Sequence, residues 1–401
     1  MNIQLMRWLD LWLGIPLCFL LGLHRKITRL FWVSNKNPYV KNILFIKLSE
    51  LGAMVLAYPL IKQTREKFPN ADFYFLTFNE NKDIFNFFDD TTRPTKVLTI
   101  RAGSILHLIF DSFKIVLFLR KENIDIAFDL ELFSRFTAIL AYLSKAKKRI
   151  GFYPYAFRGL YRGDLLTHNV SYNPLIHISR SYVSMLYATD AASKVTPEAE
   201  TSIGTEELKH LTYASPDHLK RDIFNRLKNL GINEKDNLLL INPGDGGLPL
   251  RNWPEENFVL LCRWLLEDAM NFVIFIGDSK DNKKTKFIGS QLNNKRFLDY
   301  TNKTSLAELI GLFNIATILI SNDCGLAHLA SLTPIKKFIL FGPESPQIYG
   351  PLGDNTQIIY SNVACSPCFS ALNHRNSFCR NNKCLKSISP KKLYELINNY
   401  I

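Results

Sequence analysis

The chain has 401 residues, 47 % hydrophobic and 21 % charged, which predicts a folded protein of two or three domains and excludes a disordered one. Its formal net charge of +13 favours an anionic partner, whether nucleic acid, an anionic membrane or a phosphorylated substrate. The basic residues are spread along the chain with no homeodomain, zinc-finger or RNA-recognition signature, which sets nucleic acid aside.

Trp8 to Leu23 is almost wholly apolar, interrupted by Asp10 and Gly14-Ile15-Pro16, and is followed by His24, Arg25, Lys26 and Arg29. The run is shorter than the roughly 20 residues that span a bilayer, and Pro16 breaks or kinks a helix. It lacks a small-x-small cleavage site and a strongly basic leader, which argues against a secretory signal. Residues 1–33 are therefore expected to form a membrane-associated hairpin or interfacial helix, with Trp8 and Trp12 at the headgroups and the basic cluster on anionic lipid. A tilted single span and a buried soluble helix are the competing readings.

After a polar linker, Ser34 to Pro38, strand and helix patterns alternate. Strands are expected at Ile43–Leu48, Asp72–Thr77, Val97–Ile100, Ile124–Leu130 and Lys148–Phe152, the last closing the sheet; helices at Met54–Lys67, Ile105–Lys121 and Phe133–Ser144. Such β-α-β repetition implies a parallel sheet covered on both faces. From Tyr153 to about Tyr213 the pattern weakens into loops and short helices. A helix over Asp217–Leu230 stops at Gly231. Alternation then resumes with strands at Asn237–Asn242, Phe272–Gly277, near Phe297, Ala316–Ile320 and Lys337–Phe341, and helices at Glu255–Ala269, up to about Leu292, and Ser305–Phe313. The fold class read from this is α/β: two doubly wound, Rossmann-like domains facing a cleft, over 34–215 and 216–401.

The richest stretch is Ile320-Ser321-Asn322-Asp323-Cys324-Gly325-Leu326-Ala327-His328. A buried strand stops at a Ser-Asn-Asp turn, and Gly325 opens a helical pattern. The next strand ends in Phe341-Gly342-Pro343-Glu344-Ser345-Pro346. Neighbouring strands that end in such loops build the crevice where open α/β sheets bind ligands, and a helix start offers free N–H groups to a diphosphate. Asn242-Pro243-Gly244-Asp245-Gly246-Gly247 is a second backbone-exposing loop, and Lys47-Leu48-Ser49-Glu50-Leu51-Gly52-Ala53 a third.

Taken together, the chain resembles glycosyltransferase family 9, the ADP-heptose:lipopolysaccharide heptosyltransferases, from about Asn42 onward. The resemblance rests on Ile46-Lys47-Leu48-Ser49-x-x-Gly52, Asp129-Leu130-x4-Arg135 before Arg149-Ile150-Gly151-Phe152, Pro243-Gly244 with Arg251-x-Trp253-Pro254, Asn322-Asp323-x-Gly325-x-x-His328, and Phe341-Gly342-Pro343, in family order. It implies a GT-B fold and an inverting, metal-independent displacement at the anomeric carbon. The donor would be a nucleotide sugar such as ADP-heptose, or another UDP- or GDP-sugar; the acceptor would be a lipid-linked saccharide at the cytoplasmic face of a bacterial inner membrane. On the donor side, Arg251 falls at the diphosphate, Asp323 at the sugar or capping its helix, and Cys324, Gly325 and Leu326 as N–H donors. His328 falls as a contact or a packed histidine, Asp281 at the ribose or as a solvated carboxylate, and Gly244 and Asp245 on the facing loop. On the acceptor side it places Ser49, Gly52, Asp129 and Arg135. The family pattern continues Ser-x-x-Gly-Asp, and that Asp is the general base; here the position is Ala53. Glu50, in the same turn, is the leading substitute, Asp129 or Glu131 the next, and a non-catalytic, nucleotide-sugar-binding scaffold the alternative.

Cys365, Cys368, Cys379 and Cys384 can hold a structural zinc, pair as disulfides or remain thiols. Tyr153–Arg162 mixes rings and cations suited to a sugar and phosphates, and equally to a packed loop.

Overall fold

A computed structural model describes residues 3–29, 39–153, 161–190, 204, 208 and 210–401. They form two compact units, Met1–Lys209 and His210–Ile401. The linker at 34–38 and most of the Tyr153–Arg162 segment lie outside the described residues.

Unit 1 begins with α1 (Ile3–Trp12) and α2 (Gly14–Arg29), followed by β1 (Asn42–Ile46), α3 (Leu51–Lys67), β2 (Asp72–Phe78), β3 (Lys96–Ile100), α4 (Ile105–Glu122), β4 (Ile126–Asp129), α5 (Arg135–Leu143), β5 (Lys148–Tyr153), β6 (His168–Ser171) and α6 (Ile178–Tyr187). The strands are parallel in the order β3-β2-β1-β4-β5-β6. Central strands read as unbroken apolar runs because both faces are covered. On one face Phe45 stacks on Phe75 and Phe128, with centroids 6.0 and 5.3 Å away. On the other, Leu44, Ile46, Leu98 and Ile100 pack with Ile115, Val116 and Leu119 of α4 and Leu140 and Ala141 of α5. The sheet does not close at β5: β6 is the edge, and its sequence, His-Asn-Val-Ser, is too short and polar for a periodic signal.

The N-terminal segment is not a hairpin. Leu13 N donates to Leu9 O at 3.0 Å and Leu17 N to Leu13 O at 3.2 Å, so helical bonding runs across the α1–α2 junction. Pro16, the third residue of α2, lacks an N–H to continue this ladder, and the helix is interrupted near it, at Leu13. One side of this rod lies on unit 1. Gly14 sits on Arg135, Gly22 near Asp164, and buried Cys18 against Ala138, Leu165 and the backbone of Gly163. Asp10 caps α5, accepting from the N–H groups of Arg135 at 2.9 Å and Phe136 at 2.8 Å, and pairs with the Arg135 guanidinium at 3.2 Å. Arg25 donates to Leu166 O and pairs with Asp164 at 3.0 Å. Leu5–Thr28 is long and apolar enough to cross a bilayer, but its Asp10, His24 and Arg25 side chains are bonded to the rest of the unit.

Unit 2 repeats the plan: α7 (Asp217–Lys228), β7 (Asn237–Asn242), α8 (Glu255–Leu265), β8 (Asn271–Phe275), α9 (Asn282–Leu292), β9 (Phe297–Asp299), α10 (Leu306–Ile315), β10 (Ile318–Asn322), α11 (Gly325–Ala330), β11 (Lys336–Phe341), α12 (Pro346–Tyr349), β12 (Thr356–Tyr360), α13 (Lys383–Lys386) and α14 (Pro390–Ile397). The parallel order is β12-β11-β10-β7-β8-β9, so β12 rather than β11 is the edge. Every residue of β12 is half-buried, without the strict alternation that would mark it. Trp253 is fully buried, its Nε1 bonded to Ile388 O at 3.1 Å and its ring edge-on to Phe258. Ser305 and Glu308 form a capping box at the start of α10.

In both sheets the strand order reverses beside the first strand: between β1 and β4 in unit 1, and between β7 and β10 in unit 2. These two switch points are where a doubly wound sheet leaves an open crevice at its carboxyl edge.

Candidate active site

At the unit 2 switch point, two buried asparagines lock the loops together. Asn242 donates to Ser321 Oγ at 3.2 Å and Cys324 Sγ at 3.0 Å, and accepts from Gly244 N at 2.9 Å. Asn322 donates to Pro243 O at 3.0 Å and Gly244 O at 3.2 Å, and accepts from Trp253 N at 3.3 Å. Gly246 has φ 62°, and a Cβ there would lie 3.4 Å from that of Cys324, so the glycine loop closes onto the β10 turn. Lys284, unremarked in the sequence, ties this loop down through Pro243 O at 3.1 Å, Asn252 Oδ1 at 2.9 Å and Asp245 at 3.3 Å. Asp281 lies against Gly244 and Gly277, where a Cβ on either would come within 2.6 Å of its carboxylate. Burial, helped by the charge of Asp278, raises its pKa.

Arg251 ends a short 3₁₀ turn and reaches the same point. Its Nε lies 3.4 Å from Asp323 Oδ2 and its Nη2 pairs with Glu344, whose other oxygen accepts from Arg375 Nε at 2.9 Å. Glu344 has no solvent exposure and Asp323 about 5 %. Burial pushes Glu344 up to about 7 despite the opposing charge of Arg251, and Asp323 is raised by burial against the same arginine. Burial works to lower the Arg251 pKa, but the charges of Asp323 and Glu344 outweigh it and hold the guanidinium above its ordinary value. The structure thus gathers Gly244, Asp245, Arg251, Asp281, Asp323 and Cys324 around one crevice. Gly325, Leu326 and His328 follow in α11, with His328 buried. Glu344 and Arg375 were missed. Glu344 stands in the Gly-Pro loop quoted above, whereas Arg375 lies in the cysteine-bearing tail with no local signal.

That tail is pinned to the site: Cys368 N bonds to Pro343 O, Ser366 Oγ to Gly342 O, and Asn382 Nδ2 to Asn252 O. The zinc and disulfide readings are not realised. All four cysteines are thiols, Cys365 and Cys379 exposed, Cys368 half-buried and Cys384 buried. Among the described residues no group of three or more His, Cys, Asp or Glu is placed to hold a metal.

At the unit 1 switch point, the loop after β1 is anchored by Glu131. Its carboxylate accepts from Leu48 N at 2.9 Å, Ser49 N at 3.0 Å, Ser49 Oγ at 3.2 Å and Lys47 Nζ at 2.9 Å. Burial raises its pKa, but Lys47 and these donors prevail and the net shift is downward. A carboxylate so engaged is a poor proton acceptor, since protonation would break the set. Asp129 is fully buried, paired with Arg162 and bonded to Thr137 Oγ1 at 3.1 Å. Arg135 is turned to Asp10 of α1. Glu50 is exposed, with φ 66°, and immediately precedes α3, where Gly52 is buried and Ala53 half-buried. A non-glycine residue at positive φ is strained, and such strain collects at functional loops.

The model of the family described as "Glycosyltransferase family 9 (heptosyltransferase)" matches residues 113–378. Lipooligosaccharide heptosyltransferase 2 of Haemophilus influenzae is 24 % identical over 321 residues, 79 % of this chain and 88 % of that protein. The solved structure of E. coli ADP-heptose LPS heptosyltransferase II superposes with a TM-score of 0.70 at 18 % identity, covering 90 % of this chain and 98 % of that one. E. coli heptosyltransferase WaaC with ADP gives 0.61 at 15 % identity, covering 90 % and 100 %.

Proposed function

Because the chain belongs to glycosyltransferase family 9, the heptosyltransferases, we propose that this glycosyltransferase moves heptose from ADP-heptose to a lipid-linked saccharide, with inversion at the anomeric carbon, at the cytoplasmic face of the inner membrane. The observation that carries the donor half is the buried Arg251–Asp323–Glu344–Arg375 cluster at the unit 2 switch point. A diphosphate placed there meets two guanidiniums, and the charge that grows on it as the bond to the sugar breaks is stabilised without metal assistance. In this reading Asp281, beside Gly244, meets a ribose hydroxyl and Asp323 the sugar.

The acceptor half rests on Glu50. In this reading it takes the proton of the attacking hydroxyl, in place of the family aspartate, while Glu131 and Lys47 hold its loop in shape. Asp129 and Glu131 are disfavoured as bases by their internal bonds. The test is turnover of ADP-heptose with a lipid-linked saccharide by purified protein. Loss of ADP release in Glu50→Gln with donor binding intact supports the assignment, and undiminished release in that variant refutes it. Ala53 favours one second reading, a donor-binding scaffold; it predicts ADP-heptose binding with no turnover for any acceptor.

A further inference from the structure

On one face of the unit 1 sheet, α5 packs against both α4 and α2. Helix α4 is apolar nearly all round. Ile115, Val116 and Leu119 enter the core, but Leu106 (79 % exposed), Ile109, Phe110, Phe113 (62 %) and Leu117 remain in solvent. Their spacing puts them on one stripe. Four of them line a shallow groove with Arg101 and His107. A patch of this kind marks an interaction surface.

The charges around it say what it meets. The two acids of α4 are occupied: Asp111 is buried and holds Arg101 at 2.8 Å, and Glu122 accepts from Tyr74 Oη at 3.0 Å. Lys114 Nζ lies 4.2 Å over the Phe110 ring, Lys96 Nζ 3.9 Å over Phe118, and Arg120 and Lys121 are exposed. Rings flanked by cations, without an outward carboxylate on the helix, suit acyl chains beneath anionic headgroups. The α1–α2 rod, docked beside α5, exposes a second stripe of the same character: Trp8, Trp12, Phe19, Leu20, Leu23 and Ile27.

We propose that α4 is a second membrane-inserting element, and that it and the outer face of α1–α2 together seat unit 1 on an anionic bilayer. The lipid-linked acceptor gives this seat its purpose, and to that extent it rests on the function proposed above. The test uses the full chain, sedimented with phosphatidylglycerol–phosphatidylethanolamine vesicles that carry no acceptor. Phe110→Ser with Phe113→Ser lowers the vesicle partition coefficient roughly tenfold, as does Phe19→Ser with Leu20→Ser, and the two combined lower it further. Lys114→Glu, which leaves the apolar stripe intact, weakens binding at low salt and not at high salt. Melting temperatures close to the parent show that the variants fold. Wild-type vesicle binding by both the Phe110/Phe113 and Lys114 variants would overturn the proposal. So would a change from dimer to monomer with vesicle binding unaltered, which would assign the stripe to a second copy of the chain. Vesicle binding by protein that, in a separate assay supplied with lipid-linked saccharide and ADP-heptose, transfers no sugar would sink the transferase reading and leave this one standing; transfer to a soluble acceptor without vesicle binding would do the reverse.

Discussion

Glu344→Gln is expected to stabilise unit 2, although it removes a charged partner of two arginines. Glu344 has no exposure, and its pKa is raised from 4.5 to about 7 by burial. A raised pKa means that the folded state keeps a proton the unfolded chain releases. The group's contribution is fully present below pH 4.5 and is lost as pH rises through about 7. The shift corresponds to on the order of 3 kcal/mol at neutral pH. A glutamine approximates the protonated acid and ionises in neither state, so it escapes that loss. The variant should match the parent near pH 4.5 and exceed it by up to about 3 kcal/mol at pH 7 and above, or roughly 5–10 °C in melting temperature. Denaturant unfolding at pH 5, 6, 7 and 8 measures this directly. Donor binding supplies an independent readout. Protonation of Glu344 removes one negative charge beside Arg251 and Arg375, so ADP affinity in the parent should weaken by up to about tenfold per pH unit above 7, and the variant should be flat. Destabilisation of about 3–5 kcal/mol at every pH, the cost of breaking a net-favourable buried ion pair, would refute the reasoning.

Glu50→Gln should lower kcat roughly 10²–10⁴-fold with ADP affinity unchanged, and adding Ala53→Asp should restore part of it; failure of both in a turnover assay moves the base elsewhere. Asp10→Ala uncaps α5 and removes the carboxylate paired with the buried Arg135 guanidinium, costing unit 1 roughly 3 kcal/mol by chemical denaturation. Glu131 has a depressed pKa, so its contribution to stability is present above pH 4.5 and is lost as pH falls through its folded value. Glu131→Gln should flatten the acid limb of the unit 1 stability profile and raise KM for the acceptor while leaving that for the donor.

Most strands and helices, the two-sheet plan and the Gly- and Asn-bearing loops at the switch points were legible in the sequence, because each is a local consequence of residue type. Runs such as Leu238–Ile241 and Ile318–Ile320 have no polar side to offer water, so they must be covered on both faces, and the Asn-Pro-Gly and Asn-Asp turns that follow end them. The strand order, with β6 and β12 at the edges, came only from tertiary pairing, since a half-buried edge strand carries little periodicity. The partners of the buried charges were decided the same way: Arg251 meets Glu344, 93 residues on, and Asp10 caps a helix 125 residues away. No spacing rule reaches that far, because a buried charge is satisfied by whatever the fold brings to it. Helix α4 shows the limit most plainly. Its composition announces a helix, but apolar residues on every side cannot say which stripe faces the sheet and which is left to solvent; that depends on where α5 lies.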